Sequence, residues 1–253
     1  MKKLENKVAI ITGGAGSIGK ATAKLFLEEG AKVLLVDLDE DELNKVLDDL
    51  NSEHVKYCVA DVSKAADVER YVNETVKMFG KIDVFFNNAG TEGVIKPIID
   101  YPEEAFDEII SINVKGAWLG NKHALPQMKD GGSIIITSSV SGILGSTNLS
   151  GYIISKHAVV GLMRATAIEA ASRKIRVNTV NPGPVNNRMM RSIEEGEVAG
   201  HAEEVKRHIE NTIPFGRYAE PDEVANLVLF LASDDSQYIT GTTQIIDGGI
   251  AVQ

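Results

Sequence analysis

The sequence predicts an α/β fold in which a doubly wound parallel β-sheet of about seven strands is flanked by helices. Short runs of β-branched residues alternate with longer segments of helical period, and the centres of the short runs are nearly all apolar. Strands of this kind are buried on both sides, which is typical of a parallel sheet covered on both faces. No linker, internal repeat or change in composition divides the chain, so a single domain over residues 1–253 is predicted.

Seven strands and six helices follow from these patterns. The predicted strands are Val8–Thr12, Lys32–Asp37, Val55–Ala60, Ile82–Asn87, Ser133–Ser138, Ile175–Val180 and Thr243–Ile246. The predicted helices are Lys20–Glu29, Glu40–Asn51, Ala65–Phe79, Glu103–Met128, Tyr152–Ser172 and Asp222–Ala232. Gly30 and Gly80 follow two of these helices as C-caps, and Pro221 stands where a first-turn proline is tolerated.

Residues 184–214 interrupt the alternation. Val205, Ile209 and Ile213 recur every fourth residue, which predicts a short amphipathic helix whose charged residues face water. The charged residues of the segment are Arg188, Arg191, Glu194, Glu195, Glu203, Glu204 and Arg207. An excursion from a regular sheet is a candidate lid, here a substrate-binding one, and a surface insertion without function is the alternative.

Composition excludes several classes of partner. The formal net charge of -10 gives no attraction to phosphate backbones or anionic lipid, so neither nucleic acid nor a membrane is expected as a partner. The one cysteine, Cys58, excludes an intramolecular disulfide and is predicted to be a buried structural thiol. The apolar run Val8–Ile11 is too short for a signal peptide or a membrane span, so a cytoplasmic location is expected.

A glycine-rich turn joins the first predicted strand to the first predicted helix. It reads Thr12-Gly13-Gly14-Ala15-Gly16-Ser17-Ile18-Gly19. Glycines permit a tight turn and let the backbone approach a pyrophosphate, whose charge the N–H groups at the helix start stabilise. A glycine-rich turn alone is a weak signal, but the strand before it and the helix after it favour a dinucleotide site.

Asp37 ends the second predicted strand, where a carboxylate accepts hydrogen bonds from the adenosine ribose hydroxyls. The same charge repels a 2′-phosphate, and no arginine or lysine stands in the segment Val36–Glu40. NAD is therefore favoured over NADP. A solvated aspartate at a strand end is the alternative, and it leaves the cofactor preference open.

Tyr152 and Lys156 are four residues apart in a predicted helix, so their side chains share one face. A tyrosine with its usual pKa of about 10 is a poor base at neutral pH. A lysine cation beside it, helped by oxidised nicotinamide, favours the phenolate and brings that pKa toward the working range. The spacing alone is common by chance, and its context decides its meaning.

These residues give the chain a resemblance to the classical short-chain dehydrogenases/reductases over almost its whole length. In that family the first turn reads Thr-Gly-x-x-x-Gly-x-Gly, and here Ser17 replaces the middle glycine while a glycine stands one place earlier, at Gly16. The segment Asn87-Asn88-Ala89-Gly90 matches the family's Asn-Asn-Ala-Gly, which implies a brace for the central sheet beside the cofactor. The implied fold is of the Rossmann type.

Further matches concern the two ends of the cofactor. Asp61 and Val62 resemble the pair that meets the adenine ring, and Pro182 and Gly183 the turn that borders the nicotinamide. Relatives carry a threonine four residues beyond that glycine to bind the carboxamide, and here Asn187 stands in its place. The cofactor-binding residues that the resemblance implies are Gly13, Gly16, Ser17, Ile18, Gly19, Asp37, Asp61, Val62, Asn88, Ala89, Gly90, Tyr152, Lys156, Pro182, Gly183, Val185 and Asn187.

The resemblance also implies a catalytic set of Asn113, Ser139, Tyr152 and Lys156. Ser139 would hold the substrate oxygen, and Tyr152 would accept or donate the proton. Lys156 would bind the nicotinamide ribose and tune Tyr152, and Asn113 would hold a water that links Lys156 to solvent. No metal is expected, because the five histidines show no ligand spacing with cysteine.

The expected substrate is a secondary alcohol or ketone, apolar or cyclic. Three groups of residues are predicted to line the cleft: Thr91 and Glu92; Val140–Leu149; and Met189, Met190 and Ile193 of the lid. A 3-oxoacyl thioester reductase shares the same constellation, but such biosynthetic enzymes usually take NADPH, against which Asp37 argues. A non-catalytic nucleotide-sensing scaffold is the alternative from another class. The family's usual association through its long central helices implies a homotetramer or a dimer.

Overall fold

A computed structural model describes residues 2–198 and 200–252 of the chain. It contains one sheet of seven parallel strands in the order β3-β2-β1-β4-β5-β6-β7. The strands are β1 Val8–Thr12, β2 Lys32–Asp37, β3 Val55–Val59, β4 Ile82–Asn87, β5 Met128–Thr137, β6 Arg176–Pro182 and β7 Thr243–Ile246. The strand order reverses between β1 and β4, so a crevice opens at their carboxyl ends, where open α/β sheets bind ligands. The predicted fold class is confirmed.

Nine α-helices occur among the described residues. They are α1 Ser17–Glu28, α2 Glu40–Leu50, α3 Ala65–Phe79, α4 Glu103–Ile109, α5 Ala117–Gln127, α6 Ser150–Ala170, α7 Arg188–Glu197, α8 Ala202–Thr212 and α9 Pro221–Ala232. No helix in the described part of the chain is long and apolar enough to cross a membrane.

Two apolar cores lie on opposite faces of the sheet. Phe26 of α1, Leu43 of α2 and Val228 of α9 belong to one core. Tyr71 of α3 and Met163 of α6 belong to the other. Because successive residues of a strand point to opposite faces, each buried strand feeds both cores, which is why the strand centres read as continuous apolar runs.

The predicted helix Glu103–Met128 is wrong as one element. It consists of α4, a π-helical segment Ile110–Gly116 and α5, and Met128 already begins β5. The side chain of Asn113, inside the π-helical segment, is hydrogen-bonded to the main chain of Thr91 in the crevice. Such widened turns occur mostly at functional sites, and this tertiary contact accounts for the interruption. Near the other end, Pro126 removes one main-chain donor from the last turns of α5.

Residues 184–214, the candidate lid, hold α7 and α8. In α8 the predicted amphipathic pattern is confirmed, because Val205 is buried while Glu203 and Arg207 are exposed. The expectation that the charged residues of the segment face water is wrong for Glu194 of α7, which is completely buried. Its carboxylate lies 2.8 Å from the guanidinium of Arg191, one turn away.

Candidate active site

The glycine-rich turn between β1 and α1 is too crowded for side chains at two positions. Gly13 has a φ of +65°, and a Cβ there would lie 3.0 Å from the Cα of Ala89. At Gly19 a Cβ would lie 2.1 Å from the carbonyl oxygen of Gly13. Gly16 is the N-cap of α1 with an ordinary φ of -70°, and Ser17 is exposed as the first helical residue. The serine is therefore accommodated, and the main-chain N–H groups of the first helical turn form an anion site.

Asp37 lies directly beside this turn at the end of β2. Its Oδ2 accepts a hydrogen bond from the main-chain N–H of Ala15 at 2.9 Å, and its Oδ1 accepts one from Leu38 at 2.8 Å. These bonds orient the carboxylate, and each of its oxygens keeps a lone pair for a further donor. A ribose carrying two free hydroxyls fits such a group, and a 2′-phosphate does not.

The predicted adenine-side pair is held in place by local bonds. The Oδ1 atom of Asp61 accepts from both the N–H (2.9 Å) and the hydroxyl (2.7 Å) of Ser63. Val62 packs against Gly116, where a Cβ would lie 3.0 Å from its side chain. The end of β3 is thereby fixed against the π-helical segment.

Asn88 braces the carboxyl ends of three strands. Its Nδ2 donates to the carbonyl of Thr12 at 3.1 Å, and its Oδ1 accepts from the hydroxyl of Thr137 at 2.9 Å. The hydroxyl of Thr12 in turn accepts from the N–H groups of Asn88 and Ala89 at 2.9 and 3.0 Å. The brace that the resemblance implied is therefore built from a single amide between β1, β4 and β5.

The four candidate catalytic residues converge at this edge of the sheet. The Nζ of Lys156 lies 5.5 Å from the ring centroid of Tyr152 and donates to the carbonyl of Thr137 at 3.0 Å. Gly90 brings the set together, because a Cβ there would lie 3.1 Å from Oδ1 of Asn113 and 3.4 Å from Nζ of Lys156. A side chain at position 90 would separate the two groups.

Asn113 is held by hydrogen bonds to the protein itself. Its Nδ2 donates to the carbonyl of Thr91 at 2.9 Å and to the hydroxyl of Ser155 at 3.0 Å, while its Oδ1 accepts from the N–H of Thr91 at 2.8 Å. Both amide hydrogens are therefore used, and one lone pair of Oδ1 remains. The side chain of Asn113 can therefore bind the expected water only through this one remaining acceptor.

Ser139 lies between the end of β5 and the turn after β6. Its hydroxyl donates to the carbonyl of Pro182 at 3.4 Å and accepts from the N–H of Ser141 at 3.1 Å. Its main-chain carbonyl accepts from Nδ2 of Asn181 at 2.8 Å. A hydrogen bond with Ser139 also lowers the pKa of Tyr152, which places the two hydroxyls together.

The protein's own groups set the two pKa values differently from the expectation. Burial raises the pKa of Tyr152 to about 12, with a further upward contribution from the negative charge of Glu92. Burial lowers the pKa of Lys156 to about 8. Desolvation disfavours both charged forms, and it outweighs the attraction between ammonium and phenolate that was expected to lower the pKa of Tyr152.

The turn after β6 carries the predicted nicotinamide-side residues. Gly183 donates its N–H to the carbonyl of Ile246 at 2.9 Å, and Val185 is buried in a bridge with Ala219. Asn187 is the N-cap of α7, and its Oδ1 accepts from the N–H of Met190 at 2.9 Å. Its carbonyl oxygen is thus engaged, and the amide hydrogens are the part that remains to meet a carboxamide.

Three supporting residues were missed by sequence reasoning: Thr12, Thr137 and Ser155 each supply a hydrogen-bond partner to a candidate site residue. For Ser155 the sequence held a signal, because this residue is polar and lies on the buried face of α6 together with Lys156 and the apolar Val159.

In the part of the chain that is described, no cluster of His, Cys, Asp and Glu side chains has the geometry of a metal site.

The chain is similar over nearly its whole length to known oxidoreductases. A protein-family profile described as enoyl-(acyl carrier protein) reductase matches residues 13–251. The chain is 40% identical to levodione reductase of Leifsonia aquatica over 257 residues (98% of this chain, 95% of the relative). It is 35% identical to cyclohexanol dehydrogenase of Acinetobacter sp. strain SE19 over 250 residues (97% and 95%).

Solved structures extend the likeness to the fold. The crystal structure of NAD+-bound xylitol dehydrogenase has a TM-score of 0.93 at 34% identity, covering 98% of this chain and 100% of that chain. That of levodione reductase has a TM-score of 0.95 at 39% identity, covering 98% and 99%. The chain therefore belongs to the short-chain dehydrogenase/reductase family of oxidoreductases.

Proposed function

We propose that this oxidoreductase transfers a hydride between NAD(H) and a secondary alcohol or the corresponding ketone, with an apolar or cyclic carbon skeleton. The observation that carries the proposal is the convergence of Ser139, Tyr152 and Lys156 at the carboxyl edge of the sheet, beside a glycine turn and a ribose-oriented carboxylate. Proton transfer and dinucleotide binding thus share one crevice.

The proton-transfer chemistry follows from the positions of the side chains. Ser139 holds the substrate oxygen by a hydrogen bond, and the Tyr152 hydroxyl oxygen takes the proton from the alcohol or returns it to the ketone oxygen. Lys156, fixed by the carbonyl of Thr137, holds its ammonium group under the ring of Tyr152. Asn113 is a positioning residue that fixes Thr91 and the helix that carries Tyr152. When bound, the nicotinamide supplies the hydride donor or acceptor.

The cofactor is NAD because the residues present fit it. Gly13 and Gly19 leave no room for a side chain, so the main chain can approach a pyrophosphate there, and the first N–H groups of α1 would bind its charge. Asp37 receives the adenosine ribose, and Lys156 the nicotinamide ribose. Xylitol dehydrogenase, a relative of the same fold, has a crystal structure with NAD+ bound.

The substrate skeleton is inferred from the cleft. Ile143 and Leu144 follow Ser139, and Met189 and Met190 lie in the first turn of α7, in the proposed lid. These side chains are apolar, and methionine adapts to irregular shapes. Two relatives are named for cyclic substrates, levodione and cyclohexanol.

The two alternatives are weakened by specific residues. A 3-oxoacyl thioester reductase that uses NADPH conflicts with the carboxylate of Asp37 beside the ribose position. A non-catalytic scaffold conflicts with the convergence of Ser139, Tyr152 and Lys156 at one edge of the sheet.

The test is a panel of cyclic and open-chain secondary alcohols assayed with NAD and with NADP by the absorbance of the reduced cofactor. We expect turnover of at least one cyclic alcohol with NAD, at a kcat/KM well above that with NADP. Preferred use of NADPH with a 3-oxoacyl thioester would support the first alternative. No turnover of any alcohol or ketone, with NADH binding intact, would support the scaffold.

We also infer the chain's organisation and setting. Residues 1–253 form a single domain in which residues 184–214 act as a substrate-binding lid, and the protein works in the cytoplasm as a homotetramer. Association is supported by apolar side chains that remain exposed on α5 and α6, namely Trp118, Ile154 and Ile168. Gly161 of α6 is also exposed, with space for a close helix contact. Light scattering at several concentrations separates a tetramer from a dimer or monomer.

A further inference from the structure

Glu92 is a buried carboxylate that the proton-transfer chemistry does not use. Only 6% of the residue is exposed, and its Oε2 atom has no hydrogen-bond donor among the described residues. A carboxylate removed from water costs free energy unless its oxygens are paired. An unpaired oxygen in an otherwise well-bonded site is therefore a place where a ligand donor fits.

Among the described residues, the cation that pairs with Glu92 is Arg188, and it satisfies the Oε1 atom incompletely. Nη1 of Arg188, the first residue of α7, lies 3.8 Å from Oε1, beyond hydrogen-bond distance. The Arg188 side chain is 82% exposed, so water screens its charge. This contact places Glu92 under the lid and leaves Oε2 available to another partner.

The neighbours of Glu92 place it in the reaction crevice. It follows Gly90, which lies against Asn113 and Lys156, and Thr91, whose main chain is bonded to Asn113. Its negative charge raises the pKa of Tyr152, so the two side chains are within electrostatic reach. Glu92 thus lies between the phenol that handles the reacting oxygen and the lid helix.

We propose that Oε2 of Glu92 accepts a hydrogen bond from a second hydroxyl group of the substrate, so that the preferred substrates are diols or hydroxyketones rather than simple alcohols. The donor is a hydroxyl rather than an ammonium group, because the proposed substrates are alcohols and ketones. Glu92 is a specificity-determining residue: it selects the polar group remote from the reacting carbon, while apolar side chains line the rest of the cleft. The inference rests on the proposed function, because it concerns the same site.

The experiment compares kcat/KM for cyclohexanol with kcat/KM for cyclohexane-1,2-diol, -1,3-diol and -1,4-diol, with NAD, in the wild type and three variants. Glu92→Gln keeps the shape and removes the charge. Glu92→Asp keeps the charge and shortens the side chain, and it serves if the first variant does not fold. Glu103→Gln, on an exposed carboxylate at the start of α4, is the matched control.

In the wild type we expect one diol to exceed cyclohexanol by about tenfold or more in kcat/KM, because a bond to a charged acceptor is about twice as strong as a neutral one. In Glu92→Gln the ratio of diol to cyclohexanol should fall by about tenfold. Glu92→Asp should change which diol is preferred, and Glu103→Gln should leave the ratio unchanged.

Three results would overturn the inference. The first is a wild type that prefers cyclohexanol to every diol. The second is a Glu92→Gln variant that loses activity toward all substrates by one common factor, which would make Glu92 a partner of the lid only. The third concerns trans-2-aminocyclohexanol, assayed in the same way. If Glu92→Gln lowers kcat/KM for this amine more than kcat/KM for the diols, the site is assigned to a cation. A wild type that oxidises none of these alcohols would contradict the proposed function instead.

Discussion

Asn113 and Thr91 are joined by two hydrogen bonds that run in opposite directions, one from the main-chain N–H of Thr91 (2.8 Å) and one to its carbonyl (2.9 Å). A side-chain amide can satisfy both groups of one residue only when it faces them in an extended loop. The widened helical turn around Asn113 provides that position. The pair fastens the loop after β4 to the helix layer and fixes the approach to Glu92.

Asn113→Ala should destabilise the fold. The change leaves the two main-chain groups of Thr91 and the hydroxyl of Ser155 without their partner in a buried site, at a cost of about 2–4 kcal/mol. Urea unfolding followed by circular dichroism measures the loss. Asn73→Ala, at an exposed position of α3, should stay within about 0.5 kcal/mol of the wild type. Equal effects of the two substitutions would contradict the role of Asn113.

Tyr152→Phe should remove turnover and leave NADH binding intact. The ring is kept, but the oxygen that exchanges the proton is lost, which should lower kcat by at least about a hundredfold. Stopped-flow absorbance measures kcat, and NADH fluorescence measures binding. The same change at the fully exposed Tyr238 should affect neither quantity. A Tyr152→Phe enzyme with near-normal kcat would exclude Tyr152 as the proton carrier.

Lys156 should make the fold more stable as pH rises from 8 to 10. Burial lowers the pKa of Lys156 to about 8, whereas the ordinary pKa of a lysine, which applies in the unfolded chain, is 10.5. Between these values the unfolded chain binds more protons than the folded chain, so the free energy of unfolding increases with pH. Relative to Lys156→Met, the wild type should gain roughly 2 kcal/mol over this range.

Denaturant titrations of both proteins at several pH values check that difference. The difference between the two proteins cancels the contributions of other groups to the pH dependence. One of these groups is Cys58, because burial raises the pKa of its thiol to about 11. Above pH 10 the stability of both proteins should fall, because the raised pKa of Tyr152 keeps a proton in the folded state that the unfolded chain has lost, while the difference between the two proteins should level off. A difference that does not vary with pH would mean that Lys156 is not desolvated in solution.

Asp37→Asn should weaken discrimination between NAD and NADP. Removing the charge should lower kcat/KM with NAD by about tenfold and raise kcat/KM with NADP, because the repulsion of a 2′-phosphate disappears. Steady-state kinetics with both cofactors gives the ratio. Asp41→Asn removes the same charge from an exposed position of α2 and should leave the ratio as it was. An unchanged ratio in Asp37→Asn would place the preference elsewhere.

The sequence predicts the elements well where a local pattern decides the structure. Both ends of β4, Ile82–Asn87, were predicted correctly. A mainly apolar run between a C-capping glycine and a polar turn is typical of a strand in a sheet that is covered on both faces. Asp37 and Ser139 could be proposed as neighbours because each stands at or just after the end of a predicted strand, and such ends meet at one edge of a parallel sheet. Asn113 lies in the middle of a helical segment, and it was proposed only through the resemblance to the family.

The rest depends on contacts between distant parts of the chain. Nothing local marks the widened turn at Asn113, since it is stabilised by Thr91, 22 residues away in sequence. The burial of Glu194 follows from how α7 packs, and its periodicity alone suggested exposure. The sign of the pKa shift of Tyr152 depends on how deeply the ring is buried, which sequence spacing does not contain.

The amide of Asn88 has a consequence for how the enzyme works through a cycle. It touches Thr12 on the pyrophosphate side and Thr137 on the other, and the carbonyl of Thr137 holds the ammonium group of Lys156. The strand ends at the floor of the crevice are therefore linked by hydrogen bonds, and folding of the chain fixes their relative positions. With residues 184–214 as the proposed substrate-binding lid, ligands would enter and leave by movement of α7 and α8, while the groups that carry out the chemical step keep their positions.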